Sequence, residues 1–468
     1  MTELENELQK RFGFLSFRPG QKEVIEHFLS GQDVLGVLPT GTGKSMLFQF
    51  PTSYFSGTVI ILSPLVSLMT DQVQQLKLRG EKKVVAFTSF QSRAEREYAL
   101  RNIDNYHYIF VSPESLQNRE LQNALLAVHV AYFVYDEAHC LVQWGMDFRP
   151  DYLRAAEWVS TNFTKQILAL TATATEQTRL LIKETLHRPS MVEIVRSVDR
   201  PSIALQTIQV ESDLERFDEM IRLIRQYGGP GILYTQSRKR AEDYATQLIK
   251  LGIPTAAYHG GMDTLDRSLI QQQFSSGELE WICATNAFGM GIHKANIRQV
   301  LHDHIPTSLS NYLQEFGRAS RDGKQSLATL FYTADDYRKS LFLATADLPD
   351  QQDIEYFAQS VELDEQKTKI LSYWNSRLSV SEQNQLFDRL RLSKKQNILE
   401  LYKIITGQTC LREGIGNAFG ETNLPKPVFC CNKCQSLEAI EMTHESAKET
   451  ERMDLGSAYK KRLKQLFP

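Results

Sequence analysis

Three groups of residues in this chain have the types and spacing to do chemistry on a phosphate. The first is Leu38-Pro39-Thr40-Gly41-Thr42-Gly43-Lys44-Ser45, after an apolar run and before a helical one. Backbone N–H groups of such a loop, added to a helix N-terminus, cradle phosphates. Gly41 and Gly43 let the backbone approach without a Cβ, and Pro39, Thr40 and Thr42 complete the loop. Lys44 can reach the outer phosphates, and the Ser45 hydroxyl can ligate Mg²⁺. The generic pattern has Gly where Leu38 stands. The second group is Asp136-Glu137-Ala138-His139, directly after the apolar run 131–135. Carboxylates at a strand's carboxyl end sit where open α/β sheets bind ligands. Asp136 is suited to hold Mg²⁺ through water, and Glu137 to activate an attacking water. The third is Gln314-Glu315-Phe316-Gly317-Arg318-Ala319-Ser320-Arg321-Asp322-Gly323. Its two arginines, three apart, share one helix face or one turn. Guanidinium groups stabilise charge on a transferring phosphoryl group. Taken singly, these could be a Gly-rich turn, a solvated strand end and an Arg-rich surface helix. Their order along one chain favours a nucleotide site, with hydrolysis dependent on closing a cleft.

A fourth group points to metal. Of six cysteines, Cys410, Cys430, Cys431 and Cys434 cluster late in the chain. Four thiolates suit tetrahedral Zn²⁺, and Cys431 and Cys434 have C-x-x-C spacing. Four protein ligands leave no open position, so the expected role is structural; a reduced, metal-free set is the alternative.

The elements that must position these groups follow from the hydrophobic pattern. Apolar or β-branched runs at 33–38, 58–62, 83–87, 108–111, 131–135 and 166–170 alternate with amphipathic stretches. A second set lies at 204–209, 231–234, 255–258, 281–283, 299–302 and 328–331. Continuous apolar strands separated by helices predict parallel sheets covered on both faces, hence two α/β domains. They meet near 197–202, where Asp199-Arg200-Pro201 interrupts any helix. Residues 350–408, rich in Gln, Glu, Lys and Leu, predict several helices, and the charged residues after 435 a helix or flexible tail. Within that tail, 459–467 is locally basic.

The chain has 468 residues, 42% hydrophobic and 23% charged. This excludes a disordered, collagenous or disulfide-stapled protein. A net charge of −3 announces no nucleic-acid partner, so any basic track is local. The charged amphipathic N-terminus is unlike a signal peptide, and the longest apolar stretch, 124–135, is too short to cross a bilayer. A cytoplasmic protein without a membrane partner is expected, nucleoid-associated if bacterial.

With these motifs in this order, the chain resembles the RecQ-family DNA helicases of superfamily 2, from about residue 12 to residue 434. The resemblance implies two tandem RecA-like P-loop domains, at 1–200 and 201–338. A helical zinc-binding module at 339–435 and a short tail at 436–468 would follow. It also implies a shortened member, with too few residues after Cys434 for the family's winged-helix and further accessory domains. The segment 340–408 is longer than the usual link to the zinc module.

By resemblance, Gln21 reads the adenine edge while Phe14 and Arg18 hold the base; an amide can pair bidentately with adenine. Ser63-Pro64-Leu65 and Ser112-Pro113-Glu114 resemble strand-tracking motifs, and Thr171-Ala172-Thr173-Ala174 the motif coupling hydrolysis to movement. The stretch 139–150 resembles the aromatic-rich loop that senses single-stranded DNA. There Trp144 and Phe148 offer stacking faces and Arg149 a cation. The stretch 284–294 carries Thr285 toward DNA and Gly291 toward the nucleotide, but has His293 where the family has Asp. That departure implies lower ATP affinity or activity.

The expected cofactors are ATP, Mg²⁺ and Zn²⁺. The expected partners are single-stranded, duplex and forked DNA, with single-strand-binding or recombination proteins beyond them, and the chain is expected to be a monomer. The implied activity is ATP-dependent DNA unwinding, moving 3′ to 5′, in repair or recombination. Two alternatives stand beside it: an RNA helicase, and a weakly hydrolysing DNA-binding or annealing module.

Overall fold

The computed structural model describes residues 2–88, 91–143, 145–146, 149–289 and 294–442. Trp144, Phe148, Gly291, His293 and the tail beyond 442 lie outside the described residues.

The first set of apolar runs folds as β1 (Val34–Val37), β2 (Thr58–Leu62), β3 (Val84–Phe87), β4 (Tyr108–Val111), β5 (Val130–Asp136), β6 (Ile167–Thr171) and β7 (Val192–Val195). They pair in parallel in the order β3-β4-β2-β5-β6-β1-β7. The strands β1, β2 and β4 are buried along their whole length, as expected where helices cover both faces. The sequence reading lacks β7. It lies at the sheet edge, is only half-buried, and carries Glu193, which pairs with Arg179 and Lys183.

The second set gives β8 (Ile203–Gln209), β9 (Gly231–Tyr234), β10 (Thr255–Tyr258), β11 (Trp281–Ala284), β12 (Gln299–His302) and β13 (Ser326–Tyr332), also parallel, in the order β10-β11-β9-β12-β13-β8. The two sheets are the cores of two RecA-like lobes. In the second, Gly231 lies opposite the fully buried Trp281. A Cβ on Gly231 would meet the indole ring at 2.4 Å. A rigid ring cannot yield there, so Gly231→Ala is expected to lower unfolding free energy by about 1–3 kcal/mol, read from urea denaturation.

The remainder is helical and built around one long helix, Val380–Thr406, whose 27 residues span roughly 40 Å at 1.5 Å per residue. Its C-terminal end packs Leu401 and Ile405 into the core of the second lobe. Its N-terminal end closes a small separate core of Leu348, Ile354, Ile370, Leu371 and Phe387 with the helices Gln351–Ala358 and Glu365–Asn375. That helical arm reaches back to the first lobe. Tyr373 Oη donates to Glu157 (2.6 Å), Arg377 pairs with Glu157 (2.8 Å), and Trp374 Nε1 donates to the Met146 carbonyl (3.0 Å). After the helix Leu411–Ala418, the chain at Cys430–Asn432 bonds along β8: Leu205 N donates to Cys430 O (3.1 Å) and Asn432 N to Leu205 O (3.1 Å). This covers an edge strand that would otherwise be open to foreign pairing. No helix among the described residues is long and apolar enough to cross a membrane.

Candidate active site

The carboxyl ends of β1, β5 and β6 converge, because Leu38 N donates to Thr171 O (3.0 Å) and Ala138 N to Leu170 O (2.8 Å). The phosphate-loop motif and the acidic pair therefore share one rim of the sheet. Gly43, with φ of +79°, turns the chain from the loop into the helix Lys44–Gln49. Lys44 Nζ lies 3.5 Å from the Leu38 carbonyl, and Gln72 donates to Ser45 Oγ at 2.7 Å. Two residues expected at the base also grip the loop. Gln21 Nε2 donates to Thr42 O (2.6 Å), and Arg18 donates to Gly41 O. Gln21 Oε1 in turn accepts from Arg18 N (2.8 Å). Phe14, on the approach to this segment, is half exposed.

Asp136 ends β5, and its Oδ1 accepts the Glu137 N–H at 3.0 Å. Burial, then the neighbouring Glu137, pushes the Asp136 carboxyl up to about 7, against the opposing pull of Lys44. Such a carboxyl is suited to a cation, which would restore its charge. Glu137 has φ of +50°, a left-handed conformation uncommon outside glycine. Local strain of this kind is often held at working sites. It turns the chain sharply after the strand and leaves Glu137 Oε2 3.4 Å from His139 Nδ1.

His139 is buried, which lowers its pKa and keeps the ring neutral. Its Nδ1 lies 2.9 Å from Thr171 Oγ1, and its Nε2 lies 3.0 Å from Gln314 Nε2 of the second lobe. An amide nitrogen only donates, so in this arrangement Nε2 accepts and the ring proton sits on Nδ1. Gln314 Nε2 also donates to Thr173 Oγ1 at 3.0 Å. One amide thus reads both the acidic motif and the Thr171–Ala174 motif across the cleft.

Gln314 belongs to the helix Leu309–Phe316, and the arginines follow its end. Of the two placements open to them, one helix face or one turn, the structure has the turn: the helix stops at Phe316, and Ser320 takes φ of +56°. Arg318 is buried, donates to the Gly289 carbonyl, and its Nε–H finds no acceptor among the described residues. Arg321 packs on the phosphate loop: a Cβ on Gly41 would meet its Cγ at 3.7 Å. Thr40 Oγ1 donates to Gly317 O at 3.0 Å, joining the lobes directly. Burial, with Arg318 and Arg200 nearby, brings the Arg321 pKa down to about 10. Guanidinium groups crowded over a phosphate-loop motif make a positive field suited to a polyanion.

Of the residues expected along DNA, Ser63 stands on this same rim, one step beyond the Leu62–Tyr135 pair that precedes Asp136, whereas Thr285 belongs to the second lobe. Ser63 is buried just beyond β2, and Thr285 is half-buried just beyond β11. Arg149 is paired with Glu114 (2.5 Å) and donates to Pro64 O (3.1 Å). It therefore ties together the loops after β2 and β4. Trp144 and Phe148, expected to stack on bases, and Gly291, expected at the nucleotide, are among the residues not described.

The four cysteines do come together. Their sulfurs all lie within 4.8 Å of one another, with Cys410–Cys430 and Cys431–Cys434 at 3.5 Å and Cys410–Cys431 at 3.9 Å. Zn–S bonds of ~2.3 Å in a tetrahedron require sulfur separations of ~3.8 Å, so the set fits zinc.

Three residues that sequence reasoning gave no role, Gln72, Gln314 and Arg200, contribute to this architecture. Gln314 lay inside a recognised motif. Gln72 has no signal beyond residue type, and Arg200 only its place at the expected junction of the two domains.

Comparison with known proteins follows the same outline. The DEAD/DEAH box helicase family matches residues 18–181, and the helicase conserved C-terminal domain matches 214–323. The probable ATP-dependent DNA helicase RecS of Bacillus subtilis is 44% identical over 72% of this chain and 68% of its own length. The ATP-dependent DNA helicase RecQ of Haemophilus influenzae is 37% identical over 74% of this chain, and the match spans 56% of that protein. Among solved structures, the DEAD-box helicase Mss116 bound to ssRNA and UDP-BeF aligns with a TM-score of 0.61 at 17% identity, over 91% of this chain and 96% of that one. Mycobacterium smegmatis Lhr bound to ssDNA and AMP-PNP aligns at 0.59 and 18%, over 86% and 57%. At those identities the likeness establishes the fold alone. The sequence relatives establish more: the chain belongs to the RecQ/RecS family of ATP-dependent DNA helicases.

Proposed function

We propose that this chain hydrolyses ATP to move 3′ to 5′ along single-stranded DNA and separate duplex strands, in repair or recombination. The observation that carries the reading is the seam itself. Lys44, Asp136 and Glu137 stand on one lobe, and the Arg318–Arg321 turn of the other is pressed against the same phosphate loop. Phosphoryl transfer asks for positioning and charge stabilisation, which this arrangement provides.

In this reading the loop N–H groups and Lys44 hold the triphosphate, and Ser45 and Asp136 hold the Mg²⁺ that travels with it. Glu137 takes the proton of the attacking water, and the two arginines meet charge on the γ-phosphate. Gln21, Arg18 and Phe14 select adenine. Gln314 reports cleft closure to His139 and Thr173. Ser63, Arg149 and Thr285, with Trp144 and Phe148, line the DNA track. Residues 1–200 and 201–338 act as the two motor domains. The module at 339–435 holds structural Zn²⁺ through Cys410, Cys430, Cys431 and Cys434, where the metal cross-links its loops.

The test compares ATP turnover with single-stranded DNA and with RNA, alongside unwinding of 3′-tailed, 5′-tailed and forked duplexes. DNA should stimulate turnover well above RNA, and the 3′-tailed duplex should open while the 5′-tailed one does not. Preference for RNA, or ATP turnover without any strand separation, would overturn the respective part of the proposal.

A further inference from the structure

Arg200 sits in the segment between the sheets, after β7 and before β8. Its guanidinium reaches five acceptors on two lobes. From Nη1 it donates to Thr40 O (3.2 Å), Thr40 Oγ1 (3.1 Å) and Gly317 O (2.9 Å). From Nη2 it donates to Ala319 O (3.1 Å) and Ser320 O (2.8 Å). Thr40 belongs to the phosphate loop. The three carbonyls belong to the turn from which Arg318 and Arg321 project.

The base of this side chain is fixed as well. Asp199, its neighbour, is held by Arg412, whose Nη2 also donates to Ile203 O (2.6 Å). Glu421 accepts from Val198 N (2.6 Å) and from the Ser197 hydroxyl. Ser320 Oγ lies 2.5 Å from Ser202 Oγ. The connecting segment is thus clamped by residues around the helix Leu411–Ala418, and Arg200 extends from a fixed seat into the seam.

We propose that Arg200 is a positioning residue for ATP turnover: its fork sets the register between the phosphate loop and the arginine turn. The inference rests on the proposed ATP hydrolysis and adds a residue that does not itself touch the transferred phosphate. A planar fork with its donors in fixed directions can satisfy acceptors on both lobes only at one relative placement of them. If the lobes shift, either the Thr40 bonds or the bonds to the turn are lost. Arg318 and Arg321 then sit at the wrong height over the γ-phosphate. Misplacement of about 1 Å by a change remote from the chemistry can cost up to ~10²-fold in rate.

The test uses the full chain. ATP turnover with saturating single-stranded DNA, equilibrium binding of a fluorescent ATP analogue, and melting temperature are measured for wild type, Arg200→Ala and Arg200→Lys. Arg200→Ala is expected to lower kcat by about 10–100-fold while analogue affinity changes less than about threefold. Arg200→Lys, which keeps the charge but loses the fork, is expected to recover only a minor part of kcat. Should Arg200→Ala fail to fold, Arg200→Gln takes its place with the same expectation. A kcat within twofold of wild type overturns the inference. So does full recovery by lysine, or a parallel fall in turnover, affinity and melting temperature, which marks a merely structural role. A wild-type chain that does not hydrolyse ATP overturns the proposed function, and the inference with it; wild-type turnover matched by the variant overturns the inference alone.

Discussion

Glu137→Gln should cut ATP turnover by about two to four orders of magnitude and leave ATP binding in place. The substitution keeps the shape and removes the base. An amide oxygen cannot take a proton from water, so the γ-phosphate meets no activated nucleophile. The phosphate loop, Lys44 and the arginine turn are untouched, so the triphosphate still binds. The left-handed backbone at residue 137 is no harder for Gln than for Glu, and the amide oxygen can still face His139 Nδ1, now 3.4 Å from Glu137 Oε2. Phosphate release under saturating DNA measures the first quantity, and equilibrium binding of a fluorescent ATP analogue the second. Turnover that persists at the wild-type rate assigns the base elsewhere.

The second large effect is expected at the cysteines. In the absence of a cation, burial and the neighbouring sulfurs raise the Cys430 thiol to about 11 and raise Cys434 further. Four sulfurs this close cannot all ionise without a positive centre among them, and a structural zinc ion contributes about 10–16 kcal/mol in small domains. Here the cluster also fastens Cys430 and Asn432 to β8 and orders the helix that begins after Cys410. Cys431→Ser is therefore expected to abolish stoichiometric zinc and to destabilise the second lobe by several kcal/mol. A loss of about 4 kcal/mol lowers Tm by roughly 10 °C in a lobe of this size. Metal analysis of the purified chain and calorimetry test both parts. Full zinc content with unchanged melting would remove Cys431 from the ligand set. Cys434 is the exposed member, so a chelator should act from that side.

Much of this architecture is legible in the amino-acid order, because the information is local. A buried parallel strand needs an unbroken apolar run, and a phosphate loop needs its glycines and lysine in sequence. What is not legible depends on distant partners. The edge strand β7 has neither a full apolar run nor a clear alternation, and its Glu193 is tolerated because Arg179 and Lys183 reach it from a preceding helix. The arginine turn could be read as helix or turn, since Ser320 gives no sign of its left-handed backbone. Arg149 reads as a cation for DNA, and nothing in its neighbourhood of the sequence announces that Glu114, thirty-five residues earlier, pairs with it. Arg200 looks like an ordinary arginine before a proline. Its importance comes from acceptors 160 and about 117–120 positions away.

The helical arm has a mechanical consequence. The two lobes are joined through the chain at 196–202 and again where Tyr373, Trp374 and Arg377 seat on Glu157 and Met146. A body pinned at one point can swing in every direction; pinned at two separated points, it keeps a single axis. While both attachments hold, any opening of the cleft can only be a rotation about the line between the pins, and the bonds of Thr40, Gln314 and Arg200 across the seam are the contacts that such a rotation would have to break.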